Sequence, residues 1–155
     1  MVIVAQVSLL PALRPFGVVP DLVLVAVVLL GLRSTVSQAL TLALVGGVVM
    51  DLSAGSDFGL HTGILVLAAL STGLVRRSGL TLIGPLVAIG LVVVITLVAA
   101  AVSLAAIIGS LSIGTTGPIL AILLGELVLN LLLTLGVRPI IDRLVPDESV
   151  LPTIA

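Results

Sequence analysis

The chain has 155 residues, 60% of them hydrophobic and only 8% charged, with six arginines, no lysine, seven acidic residues and a net charge of -1. A soluble domain carries about a quarter charged residues, so a water-exposed surface cannot be assembled from this composition. That excludes a cytosolic enzyme, a disordered chain and a nucleic-acid binder, and leaves a lipid bilayer as the solvent for most of the polypeptide.

There is no cysteine and a single histidine, His61, which rules out disulfides, cysteine-based zinc sites and haem thiolates. The first residues, MVIVAQVSLLPALRP, lack a basic start and an A-x-A cleavage site, and more apolar segments follow, so they do not read as a signal peptide. The length suggests one domain, taken as residues 1–143, followed by a short mixed tail over 144–155.

Polar breaks at Arg14-Pro15, Arg33 to Gln38, Asp51 to Asp57, Arg76 to Ser78, Ser110 to Pro118 and after Arg138 separate six apolar runs. These are roughly 1–13, 19–32, 38–51, 58–75, 80–109 and 118–137. A bilayer core of about 30 Å needs about 20 apolar residues in a helix. The first three runs are short, and the first has only thirteen residues. Joining runs two and three would put Arg33 at mid-membrane, which costs about 3 kcal/mol. A tight helical hairpin with Arg33 at the interface is preferred. Snorkelling, local thinning or burial in protein can accommodate short helices. The expected architecture is therefore an all-α integral membrane bundle of about six transmembrane helices. With the N-terminus cytoplasmic, five of the six arginines fall on the cytoplasmic side, as the positive-inside rule asks, and both termini are cytoplasmic.

Several residues stand out in chain order. Pro20 and Asp21 open the second run. Proline suits a first helical turn, and aspartate meets the positive end of the helix dipole, with contact to a partner as the alternative. Ala39, Ala43, Gly47 and Asp51 recur every four residues along the third run. Small side chains allow close helix packing in lipid, against a neighbouring helix or a partner. Asp51, at the end of the row, is placed to fix the following loop by accepting backbone N–H bonds. That loop, 52–62, combines serine, aspartate and histidine, but it has no G-x-S-x-G elbow and does not make a hydrolytic triad. Gly55 and Gly59 supply turn conformations. A lone His61 cannot form a metal site. The sixth run begins Gly114-Thr115-Thr116-Gly117-Pro118, a capped start, and then carries Glu126, Asn130, Thr134 and Arg138, again four apart. Ionisable groups within an apolar span face protein or a water-filled cavity. Glu126 and Asn130 are expected to hydrogen-bond with a neighbouring helix, a partner-binding face and a proton relay being the alternatives. No P-loop, dinucleotide fingerprint or glycosidase acid pair is present, so no cofactor is expected.

Pro20-Asp21-Leu22-Val23-Leu24, Gly47-Val48-Val49-Met50-Asp51-Leu52, Phe58-Gly59-Leu60 and the Glu126…Asn130 element followed by Leu131-Leu132-Leu133 occur in an order that resembles the MreD family of rod shape-determining membrane proteins. The resemblance covers nearly the whole chain, through short hydrophobic motifs. It departs in the short first run and in the absence of tyrosine and tryptophan, which removes the aromatic belt. It implies a small six-helix protein of the bacterial plasma membrane with no catalytic activity. Such proteins associate with MreC, in the elongation complex with MreB, RodA and a class B penicillin-binding protein. It also implies a membrane fold similar to the substrate-binding subunits of energy-coupling-factor transporters. The functional expectation is a non-enzymatic scaffold that binds an MreC-like partner and helps organise lateral peptidoglycan synthesis and cell shape, using the Ala39–Asp51 row and the Glu126–Asn130 row. The rival is a substrate-binding or proton-coupled transport subunit using Glu126.

Overall fold

The computed structural model describes residues 2–4, 6, 19–54, 59–79, 85–110 and 116–144. Arg14, Gly55, Ser56, Asp57, Phe58, Gly114, Thr115 and the tail beyond Leu144 lie outside the described residues. The described chain is all helical: a single turn α1 (Val2–Val4), then α2 (Leu22–Arg33), α3 (Val36–Ala54), α4 (Leu60–Arg77), α5 (Pro85–Ser110) and α6 (Thr116–Leu144). The helices follow the apolar runs because each run is bounded by residues that cap or break a helix.

Helix α2 is central. Val23 through Leu29 are all buried, so it is enclosed on every side. A helix that is apolar all round belongs in such a position. Its twelve residues rise only about 18 Å, less than a bilayer core. Burial among other helices removes the need to match lipid thickness. Helices α2 and α3 form the tight hairpin expected from the cost of a mid-membrane Arg33. The break is an extended Ser34, whose N–H and hydroxyl both return to the Leu30 carbonyl at 2.7 and 2.8 Å.

The outer helices are apolar on the outside. Two of them, α3 over Val36–Ser53 and α6 over Ala121–Leu144, are long and apolar enough to cross a membrane, while α2 and the Leu86–Val102 stretch of α5 are shorter apolar helices. Among the described residues the all-helical class is thus seen, with two helices that meet the length and hydropathy requirements together. Only 28% of the α3 stretch and 11% of the α6 stretch is buried, whereas the core helix of a water-soluble protein would be mostly buried. Leu44, Leu52, Leu74, Val128 and Leu132 all face outward.

Charge is sorted between the two ends of the bundle. Arg33, closing α2, pairs with Asp142 of α6 at 2.7 Å, and Arg138 approaches the same carboxylate at 3.5 Å. Helix α4 ends beside the start of α3, where Gly73 packs so closely that a Cβ would lie 2.7 Å from Val36 Cγ2. Arg76 and Arg77, in the last turn of α4, thus join Arg33, Arg138 and Arg143 at one end. Asp51 and His61 lie toward the other end, while Asp21 starts α2 inside the bundle, beside Asn130. Helix α6 continues through Pro139 to Leu144, past the end of its apolar run. A proline there deletes one backbone bond, at a position that is exposed.

Candidate functional site

The chemistry of the chain is concentrated where α2 begins. Asp21 caps the helix, its Oδ1 accepting the Leu24 N–H at 2.8 Å, while its carbonyl accepts the Val25 N–H at 3.2 Å. Buried helix starts need partners for their orphan N–H groups, because lipid offers none. Two distant side chains provide them. Gln6 Oε1 accepts the Leu22 N–H at 2.7 Å, and Gln6 Nε2 donates to the Pro20 carbonyl at 3.1 Å. Asn130 Oδ1 accepts the Asp21 N–H at 2.7 Å, across 109 residues of sequence. Asn130 Nδ2 donates to Thr96 Oγ1 at 3.2 Å, tying α5 to the same joint. Thr134 returns its hydroxyl to the Asn130 carbonyl at 2.7 Å.

Asn130 thus hydrogen-bonds to two neighbouring helices through the two ends of its amide, at Asp21 and at Thr96. Asn130 and Thr134 are fully buried within the bundle. Their faces look inward, where the α2 start and Thr96 supply polar partners for Asn130.

A second joint connects α3 to α4. Asp51 is buried in the last turn of α3, and its carboxylate holds the start of α4. Oδ1 accepts the His61 N–H at 2.9 Å and lies 3.0 Å from His61 Nδ1. Oδ2 accepts the Gly59 N–H at 3.0 Å, the Thr62 N–H at 3.2 Å and the Thr62 hydroxyl at 2.6 Å. An anion at a helix N-terminus is favoured by the dipole and by the exposed N–H groups. Gly59 precedes the helix with φ of +102°, a left-handed conformation that a side chain would strain. Ala39, Ala43, Gly47 and Asp51 are all buried and lead up to this joint. At Gly47 the two backbones nearly touch, and a Cβ would overlap the Thr62 backbone, lying 2.9 Å from its nitrogen. The row is thus an internal seam that leads to the α3–α4 joint. Ser53 donates to the Val49 carbonyl at 2.7 Å, away from His61, so the Asp51–His61 pair acquires no nucleophile from it.

Between the two joints is a cavity of about 240 Å³. It exists because α2 starts deep: Asn130, its neighbour, lies fourteen residues into α6, about 21 Å from the beginning of that helix. Gln6, Asp21, His61 and Glu126 supply its polar wall, while Met50, Ile64, Leu65 and Ala99 supply much of the apolar remainder. Glu126, the ionisable group within the sixth apolar run, therefore faces a cavity, as such groups commonly do. Among the described residues no group of three or more acids and histidines could hold a metal.

Sequence reasoning singled out Asp21, Asp51, Gly59, Glu126 and Asn130 but missed Gln6, Thr62 and Thr96. A signal was present for two of them. Gln6 is the only side-chain amide in the first apolar run, and Thr96 is the lone polar side chain of Leu86–Val102. Compared with protein-family models, with curated proteins and with solved structures, the chain matches none.

Proposed function

We propose that this chain is a non-enzymatic, multi-pass scaffold of the bacterial plasma membrane, of the MreD type. It binds the membrane helix of an MreC-like partner and helps organise lateral peptidoglycan synthesis with MreB, RodA and a class B penicillin-binding protein. One observation carries this reading: the motifs that underlie the resemblance coincide with the polar joints. Pro20, Asp21 and Leu22 form the capped start of α2, Gly47 and Asp51 the seam and clamp of α3, Gly59 the entry to α4, and Asn130 the anchor between α2 and α5. Apolar positions exchange readily in lipid, whereas polar joints do not, so a shared membrane fold leaves its trace at such positions. With the arginine-rich end cytoplasmic, the bundle obeys the positive-inside rule. The fold is then a six-helix bundle similar to the substrate-binding subunits of energy-coupling-factor transporters.

Because the polar rows face inward, the partner helix docks on an outer face. Leu124, Val128, Leu132 and Leu135 form a continuous row on α6, each more than half exposed. Helix association in lipid depends on close packing, which a bulky side chain in the row disrupts. Val128→Trp with Leu132→Trp is expected to lower detergent co-purification of the MreC-like partner by an order of magnitude, while Leu74→Trp on α4 leaves it unchanged. Equal recovery by all variants removes α6 as the docking face, and no recovery with the parent chain removes the scaffold reading. The cavity beside Glu126 favours a second reading, a substrate-binding or proton-coupled transport subunit, which uptake abolished by Glu126→Gln would support.

A further inference from the structure

The arginines gathered at one end of the bundle differ in what they face. Among the described residues Asp142 is the only carboxylate there, and it is taken: Arg33 holds it at 2.7 Å and Arg138 approaches it at 3.5 Å. Arg76 and Arg77, which close α4, pair with no carboxylate among the described residues. The negative end of the α4 dipole is worth about half a charge. The start of α3 lies beside it, through the contact of Gly73 with Val36, and brings a similar positive end. The two dipoles offset each other, and both arginine charges are left over at this corner.

The outer surface below them is ordered by depth. Gly47 against Thr62 and Gly73 against Val36 fix a single antiparallel register between α3 and α4. In that register Gln38 is level with Ser71, about 8 Å below Arg76 along the helix. Helix α2 packs behind both helices, so the exposed residues of the pair share an outer face. Ser37, Gln38 and Thr41 are exposed on it. The Thr41 hydroxyl returns to the Ser37 carbonyl at 2.9 Å, whereas the Gln38 carboxamide has no hydrogen bond within the bundle among the described residues. Below Thr41 the face is apolar, with Leu44, Val48 and Leu67 exposed.

A membrane lipid presents the matching order: a charged phosphate, then ester carbonyls, then hydrocarbon. Guanidinium groups suit phosphate oxygens, and an amide NH2 donates to carbonyls. We propose that this face of α3 and α4 binds an anionic phospholipid from the leaflet at the arginine end. Its phosphate meets Arg76 and Arg77, an ester carbonyl meets Gln38, and an acyl chain lies along Leu44, Val48 and Leu67. A zwitterionic headgroup is the poorer ligand, because its ammonium returns positive charge to a corner that already carries two. The site rests on the bilayer location alone and holds whether the chain acts as a scaffold or as a transport subunit.

The chain has no tryptophan or tyrosine, so Leu67→Trp places a single emitter on this face and Val128→Trp places one on α6. Position 67 lies about 15 Å below Arg77, at acyl-chain depth. Each full-length variant is reconstituted in phosphatidylcholine vesicles, and quenching by acyl-brominated phosphatidylglycerol is compared with quenching by acyl-brominated phosphatidylcholine. Each arginine near an anionic lipid strengthens association about fivefold. Phosphatidylglycerol is therefore expected to win by about tenfold or more at Leu67→Trp, with no such preference at Val128→Trp. In the Leu67→Trp chain, Arg76→Gln with Arg77→Gln should abolish the preference and Gln38→Leu should lower it about threefold. Arg143→Gln, on α6 at the same end, should leave it intact. Inorganic phosphate added at constant ionic strength should not relieve the quenching. Equal preference at the two tryptophans, no loss in the double arginine variant or in Gln38→Leu, an equal loss in Arg143→Gln, or relief by inorganic phosphate overturns the assignment. Quenching by neither lipid removes the bilayer location itself. Should the arginine variant fail to fold, the comparison of Leu67→Trp with Val128→Trp decides alone.

Discussion

Replacing Asp51 tests the joint that sets α4 against α3. Alanine at this position removes both carboxylate oxygens and leaves the N–H groups of Gly59, His61 and Thr62, the Thr62 hydroxyl and His61 Nδ1 without their acceptor. A stranded buried donor costs about 1–3 kcal/mol. The three backbone donors taken at the low end give about 3 kcal/mol. Asparagine is milder. Its oxygen can keep the three donors on the Oδ2 side, and its NH2 can donate to Nδ1 of a neutral His61 in the other tautomer. Only the His61 N–H is then stranded, a loss of about 1–2 kcal/mol.

The chain lacks cysteine, so a single Ala69→Cys at a fully buried position reports unfolding by thiol labelling. Labelling across an SDS titration in mixed micelles should show Asp51→Ala shifted to much lower SDS, a change of about a hundredfold or more in the folded ratio. Asp51→Asn should fall between it and the parent. An unchanged midpoint for Asp51→Ala, or equal losses for alanine and asparagine, would refute the account of the carboxylate as a multi-donor clamp.

The same assay addresses the other joints. Asn130→Leu removes the acceptor of the Asp21 N–H and the donor to Thr96, and should destabilise by about 2 kcal/mol, with no recovery from Thr96→Val alone. Gly47→Ala drives a methyl into the Thr62 backbone and should destabilise by about 1–3 kcal/mol. Gly63→Ala, with open space around its Cβ, should instead stabilise by up to about 1 kcal/mol through helix propensity. If the two glycine variants behave alike, close approach is not what Gly47 contributes.

The helices were legible in the sequence to within a few residues wherever a polar break bounds an apolar run. Asp21 was legible as a helix-start carboxylate because the cue is local, proline, aspartate, then an apolar run, although Asp21 stands at the N-cap and Pro20 before the helix, one step earlier than the first turn. Arg33 was legible as a hairpin boundary because its position inside lipid is costly. The extension of α6 through Pro139 was not, since a proline usually argues for a stop, and an exposed one near a helix end costs little. Seven consecutive apolar residues of α2 read as an ordinary short span, while their enclosure by other helices depends on the rest of the chain.

Composition pointed to lipid as the solvent, and the order of apolar runs and polar breaks to the helical class and the gathering of arginines at one end, because each follows from the expense of placing charge or bare backbone in hydrocarbon. The tertiary structure decided which faces turn inward. Apolar side chains are nearly indifferent between lipid and protein, so hydropathy carries no record of direction. The choice fell to the few polar atoms, each of which needed a partner: Asn130 found the Asp21 N–H, Asp51 found the start of α4, and Glu126 was left facing the cavity above the short central helix.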